Sequence, residues 1–164
     1  MSKHHLAYLN LGSNIQPETN LPKALELLAA CGEIQKVSSV WESEAVGITG
    51  PNYLNVCVAF KSSFSRMALK AQVIQSIEAH LGRKRNKNKF AARTIDIDIV
   101  LFDDEFMNRD SWRLAYVIVP LAEIYAEYRN PETGETAEEI ATRLSREVWL
   151  EARPGVLGSL SSNK

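Results

Sequence analysis

The stretch Arg93-Thr94-Ile95-Asp96-Ile97-Asp98-Ile99-Val100-Leu101-Phe102 constrains this chain more than any other. Its β-branched, alternating character predicts a strand. Side chains alternate between the faces of a strand, so Ile95, Ile97 and Ile99 fall on one side and Thr94, Asp96 and Asp98 on the other. One face is then core, and the other carries two carboxylates. Residues two apart in a strand have Cα atoms roughly 6.5 Å apart. Their side chains can converge on hard cations, which lie about 3.5 to 4 Å from one another in two-metal sites. Magnesium suits such a pair because it prefers carboxylate oxygen, water and substrate phosphates to a cage built wholly of protein. The plain alternative is a half-buried strand whose aspartates face water, since aspartate is depleted in strands but not excluded from them.

The residues just upstream favour the first reading. Gly82-Arg83-Lys84-Arg85-Asn86-Lys87-Asn88-Lys89-Phe90-Ala91-Ala92-Arg93 is densely cationic, lacks apolar periodicity and reads as a loop. Cations running into paired carboxylates are what a polyphosphate and its metal ions require. The formal net charge of the 164-residue chain is −1, so this loop is a local feature and the chain is not a wholly basic nucleic-acid binder. The length suits one domain over residues 1–153, with a Gly- and Ser-rich, mobile tail over 154–164. Cys31 and Cys57 lie in apolar contexts and suggest buried thiols in a reducing compartment. No apolar run approaches the roughly 20 residues that span a bilayer, and no signal-peptide core follows the N-terminus. A cytoplasmic protein is expected.

Taken in order, Leu6 to Leu11 alternates as a strand and Gly12-Ser13-Asn14 ends it. Thr19 or Asn20 can cap a helix with Pro22 in its first turn, a stripe of Leu21, Leu25 and Leu28, and Gly32 as its stop. A strand is predicted over Ile34 to Trp41, then a long irregular connection from Glu42 to Pro51. Tyr53 to Phe60 is the next strand, with Tyr53, Asn55, Cys57 and Ala59 on one face and Leu54, Val56, Val58 and Phe60 on the other. Tyr53 and Asn55 could stack on a flat heterocycle and pair with its edge, or could merely pack and satisfy a neighbouring backbone. Ser65 caps a helix carrying Leu69, Val73, Ile77 and Leu81. Beyond Asp103-Asp104, Arg113 to Val119 reads as a strand, Pro120 to Tyr128 as a short helix, and Thr136 to Leu144 as another helix capped by Thr136. The order β-α-β-β-α-β over Leu6 to Phe102 predicts an α+β, ferredoxin-like sandwich with C-terminal additions, its helices on one face of an antiparallel sheet and the other face left for chemistry. There is no Gly-x-x-x-x-Gly-Lys loop and no Gly-x-Gly-x-x-Gly fingerprint, so any nucleotide site is built differently.

Several segments, in order, resemble the 6-hydroxymethyl-7,8-dihydropterin pyrophosphokinases (HPPK) of folate biosynthesis. They are Leu11-Gly12-Ser13-Asn14, Ser38-Ser39-Val40-Trp41 leading to Val46-Gly47, Tyr53-Leu54-Asn55, Gly82-Arg83-Lys84-Arg85 and, most specific, Arg93-Thr94-Ile95-Asp96-Ile97-Asp98. The resemblance implies magnesium-dependent transfer of a pyrophosphoryl group from ATP to a hydroxymethyl-dihydropterin. It implies that Asp96 and Asp98 hold two magnesium ions against the ATP phosphates. By the same resemblance Arg83, Arg85 and Arg93 contact those phosphates, with Arg83, Arg93, Asp96 and Asp98 as the catalytic set and the basic segment as a mobile loop. Ser43, Tyr53, Asn55 and Tyr116 would receive the pterin. The chain departs from the family's pattern at Ser43-Glu44-Ala45, where a proline is usual, and at Phe90-Ala91-Ala92, where Trp-Gly-Pro is usual. It also has no histidine beyond His80, so the family's Pro-His motif is missing and Asn108 to Arg113 stands in its place. Arg109 or Arg113 is the expected substitute contact to ATP. Two competing readings stay open: a paralogue that binds pterin or nucleotide without catalysis, and an RNA-binding domain that uses the basic loop.

Overall fold

The computed structural model describes residues 3–45, 50–83 and 94–158. Strand β1 (His5–Ser13) is the centre of the sheet, since it pairs antiparallel with both β4 (Tyr53–Ser62) and β5 (Asp96–Phe102). On the far side of β4 lie β2 (Glu33–Val37) and β3 (Trp41–Ser43), and β3 pairs in turn with β7 (Leu150–Ala152). The short β6 (Glu105–Phe106) pairs with the end of β5. The seven-stranded sheet runs β6-β5-β1-β4-β3-β7, with β2 also on β4. Its inner part, β5-β1-β4-β2/β3, is the antiparallel arrangement of a ferredoxin-like α+β sandwich, as the element order led us to expect. The strand predicted over Ile34 to Trp41 is divided: Ser38 leaves the ladder and its Oγ accepts a hydrogen bond from the backbone of Cys57 (2.9 Å).

Helix α1 (Pro17–Ala29) and helix α2 cover one face. The α2 helix is continuous through Arg66–Ala68, a wider π-wound segment Leu69–Ile74, and Gln75–His80, and its Ser65 cap accepts from the Ala68 amide (3.2 Å). The cap expected at Thr19 or Asn20 is absent. Helix α1 begins at Pro17 after Gln16, which adopts φ 44°, and Pro22 sits beyond the first turn. The core on this side joins Leu21, Leu25 and Leu28 of α1 and Leu69, Val73 and Ile77 of α2 to Leu9, Leu11, Val56, Val58, Ile95 and Ile97 of the sheet. Leu157 is buried in the same core, so the tail predicted to be mobile from Pro154 is held against the body at that residue.

The opposite face is not wholly open, and this corrects the expectation that helices cover one side alone. Segment Arg109–Arg113 is a 3-10 turn, followed by α3 (Ala115–Ile124) where a strand was predicted. Together with α4 (Ala137–Leu144), which starts at a capping box between Thr136 and Glu139, it builds a second core on Tyr8, Cys57, Ala59, Val100 and Leu101. Strand β5 reaches both cores because its register to β1 shifts: Leu9 pairs with Ile99 and Tyr8 with Leu101, leaving Val100 as an extra residue. Before this bulge Ile97 faces α1 and α2; beyond it both Val100 and Leu101 face α3 and α4. The second core covers only one end of its face, and at the uncovered end the sheet forms the floor of a cleft.

Candidate active site

Two cross-strand rows make that floor. Trp41, Asn55, Gly12 and Asp96 are successive partners across β3, β4, β1 and β5, and beside them Cys57, Asn10 and Asp98 are partners across β4, β1 and β5. The cleft above has a volume of about 960 Å³, ample for a heterocycle and a nucleotide together. Ser43, Tyr53, Asn55, Asp96, Asp98 and Tyr116, drawn from β3, β4, β5 and α3, all line it. Six of the residues proposed from sequence are therefore brought together. Asn55 is 2% exposed and its Nδ2 donates to Ser43 Oγ (3.2 Å), which fixes the carboxamide at the floor. Gly12 makes room for it: a Cβ at residue 12 would lie 2.8 Å from Asn55 Oδ1 and 3.7 Å from a ring carbon of Tyr53.

The carboxylate end is organised from beneath. Glu78, on α2, is 3% exposed, and one of its oxygens accepts both from the backbone amide of Ile97 (3.0 Å) and from Arg83. The same Arg83 nitrogen lies 2.9 Å from Asp96 Oδ1. A buried carboxylate needs such partners, because an unpaired one costs several kcal/mol. Periodicity on α2 puts Glu78 next to the apolar stripe, but nothing local marks it as a partner of the aspartate strand. Asp98 is solvent-accessible from the cleft, yet crowded on its other sides. Burial, then the charge and hydrogen bonding of Asp96, then the charge of Glu78 raise its pKa to about 7, against a smaller lowering by Arg83. Carboxylates that resist ionising together fit a cation between them.

The donor set fits magnesium in particular. It offers two carboxylates on an open floor with room for water and phosphate oxygens, and Asn10, 4% exposed, adds a side-chain oxygen that has no partner beside Asp98. No cluster of three or more His, Cys, Asp or Glu side chains suited to a metal occurs among the described residues, so an all-protein cage is not what they form.

Among the described residues, the predicted cations Arg83, Arg109 and Arg113 do not line the cleft. Arg83 is held beneath the floor in its pair with Glu78 and Asp96, and is not on the cleft wall. Arg113 is exposed and off the wall, while Arg109, 81% exposed, forms an ion pair with Glu132 at 2.7 Å. Arg85 and Arg93 lie outside the described residues, as do Val46, Gly47 and Phe90. Sequence reasoning did not single out Arg66, Met67, Lys70 and Gln75 of α2, which line the cleft.

A model of the 7,8-dihydro-6-hydroxymethylpterin-pyrophosphokinase (HPPK) family matches residues 8–126. The chain belongs to that family. Among curated relatives, the 2-amino-4-hydroxy-6-hydroxymethyldihydropteridine pyrophosphokinase of Synechocystis sp. is 31% identical over 163 residues, covering 93% of this chain and 83% of the relative. The protein of the same name from Aquifex aeolicus is 40% identical over 100 residues, 60% of this chain and 61% of that one. Among solved structures, Plasmodium falciparum HPPK-DHPS with pteroate superposes with a TM-score of 0.68 at 13% identity over 90% of this chain. The match spans 43% of that longer chain, and the likeness concerns the fold. This HPPK chain has no helix, among its described residues, long and apolar enough to cross a membrane.

Proposed function

We infer that this HPPK chain transfers the pyrophosphoryl group of ATP to the hydroxymethyl group of 6-hydroxymethyl-7,8-dihydropterin and releases AMP. The observation that carries this reading is a single cleft in which paired carboxylates, Asp96 and Asp98, meet an aromatic and amide pair, Tyr53 and Asn55, in a member of this family. Tyr53 and Tyr116 supply flat faces for the pterin ring, and Asn55, oriented by Ser43, pairs with its polar edge. Asp96 and Asp98 would hold two magnesium ions, which when bound neutralise phosphate charge and draw the reactants into line.

The hydroxyl oxygen of the pterin bonds to the β-phosphorus as the bond from that phosphorus to the α,β-bridging oxygen breaks. AMP departs with that oxygen, and the hydroxyl proton passes to water. No side chain becomes covalently attached, so catalysis rests on alignment and charge. Arg83 fixes Asp96 and lowers the cost of ionising Asp98. Arg85 and Arg93 are proposed as phosphate contacts on the strength of the family pattern.

Incubation with ATP, magnesium and the hydroxymethyl-dihydropterin, followed by chromatography, tests the reading. AMP should form only when all three are present, and Asp96→Ala and Asp98→Ala should abolish it while keeping the native circular dichroism spectrum. Release of ADP in place of AMP, or full activity in either variant, would overturn the assignment.

A further inference from the structure

Helix α2 presents two parallel rows to the cleft, Arg66-Lys70-Ile74 and Met67-Ala71-Gln75. Residues four apart share a helix face, and the π-wound segment Leu69–Ile74 lies within both rows, so Arg66 and Lys70 line the same cleft one turn apart. They are the cationic side chains of the described wall. Both are exposed, and neither forms an ion pair among the described residues. Like charges four apart repel along a helix, so their placement does not serve the helix itself. Asp96 and Asp98 line the same cleft.

Resting on the reading above, we propose that Arg66 and Lys70 bind phosphate oxygens of ATP, completing from the helix wall the charge balance begun at Asp96 and Asp98. A polyphosphate chain has more oxygens than carboxylate-held cations can cover, and a guanidinium and an ammonium one turn apart span adjacent oxygens. This gives the phosphate contact to α2, not to Arg109, which pairs with Glu132, or to Arg113, which does not line the cleft.

Calorimetric titration of ATP-magnesium, AMP and adenosine into the wild type, Arg66→Ala, Lys70→Ala and the double variant tests the assignment. Each single substitution should weaken ATP roughly threefold to tenfold, with adenosine unaffected, because partly solvated charge pairs are modest in strength. The double variant should show a shallower salt dependence of ATP binding than the wild type, and Lys70→Arg should keep near-native affinity. Unchanged ATP affinity in the double variant would overturn the proposal, as would equal losses for ATP and adenosine, which would place the contact on the base or sugar. Wild-type protein that bound no ATP at all would instead overturn the reading of the cleft, and this contact with it.

Discussion

Arg83 Nη1 stands 2.9 Å from Asp96 Oδ1 while the same nitrogen is hydrogen-bonded to Glu78, so a helix residue holds a strand carboxylate through one guanidinium. Removing Glu78 takes a buried acceptor from Arg83. Glu78→Ala should cost about 3 to 5 kcal/mol in urea unfolding, since Arg83 and the Ile97 amide both lose a buried partner. Glu78→Gln keeps an acceptor for Ile97 and should cost less. A loss under about 1 kcal/mol in Glu78→Ala would show that the network contributes little to the fold.

Gly12→Ala tests the floor. Its backbone can accommodate alanine, but the new methyl would press on Asn55 Oδ1 at 2.8 Å, and the carboxamide must shift from Ser43. Overpacking of this kind costs about 1 to 3 kcal/mol. We expect a folded protein whose affinity for the dihydropterin falls tenfold or more by titration calorimetry, with ATP binding largely retained. Native affinity for the pterin would mean that Asn55 does not receive it.

The metal-free protein should grow less stable as pH rises. Asp98 has a folded pKa of about 7 against an ordinary 3.8, so between those values the native state holds more protons than the unfolded chain. Stability then falls with pH across that window and levels off above it. Magnesium binds the ionised pair, so the rise in melting temperature that it confers should be small near pH 5 and larger near pH 8. A magnesium effect independent of pH would contradict this account.

The two thiols should separate under native alkylation. Burial, with the charge of Glu123, pushes the Cys57 thiol far up and out of reach, whereas Cys31 is exposed, contrary to its apolar sequence context. Mass spectrometry should find one fast modification, at Cys31, and one that appears only on unfolding. Rapid labelling of Cys57 in folded protein would refute the packing of the second core.

The legible parts of this chain were those governed by a period of two. Leu54, Val56, Val58 and Phe60 are buried on one face of β4, with Tyr53 and Asn55 in the cleft on the other, as alternation requires. Periodicity failed at α3. Val117, Ile118 and Val119 look like a strand, but the helix is buried on nearly every side and so shows no polar stripe that would reveal a helical period. The bulge at Val100 leaves no mark in a run of apolar residues. Arg83 and Arg109 were legible as cations but not as partners: Glu132 reaches Arg109 only through the fold, and Glu78, five residues before Arg83, carries no local mark that places the pair against Asp96.

The Val100 bulge also makes β5 behave as two strands joined end to end. Ile97 and Ile99 pack toward the helices beneath the carboxylates, whereas Val100 and Leu101, adjacent in sequence, both pack toward α3 and α4. One strand thus serves both the carboxylate pair and the second core, and Tyr116 of α3 reaches the same cleft that Asp96 and Asp98 line.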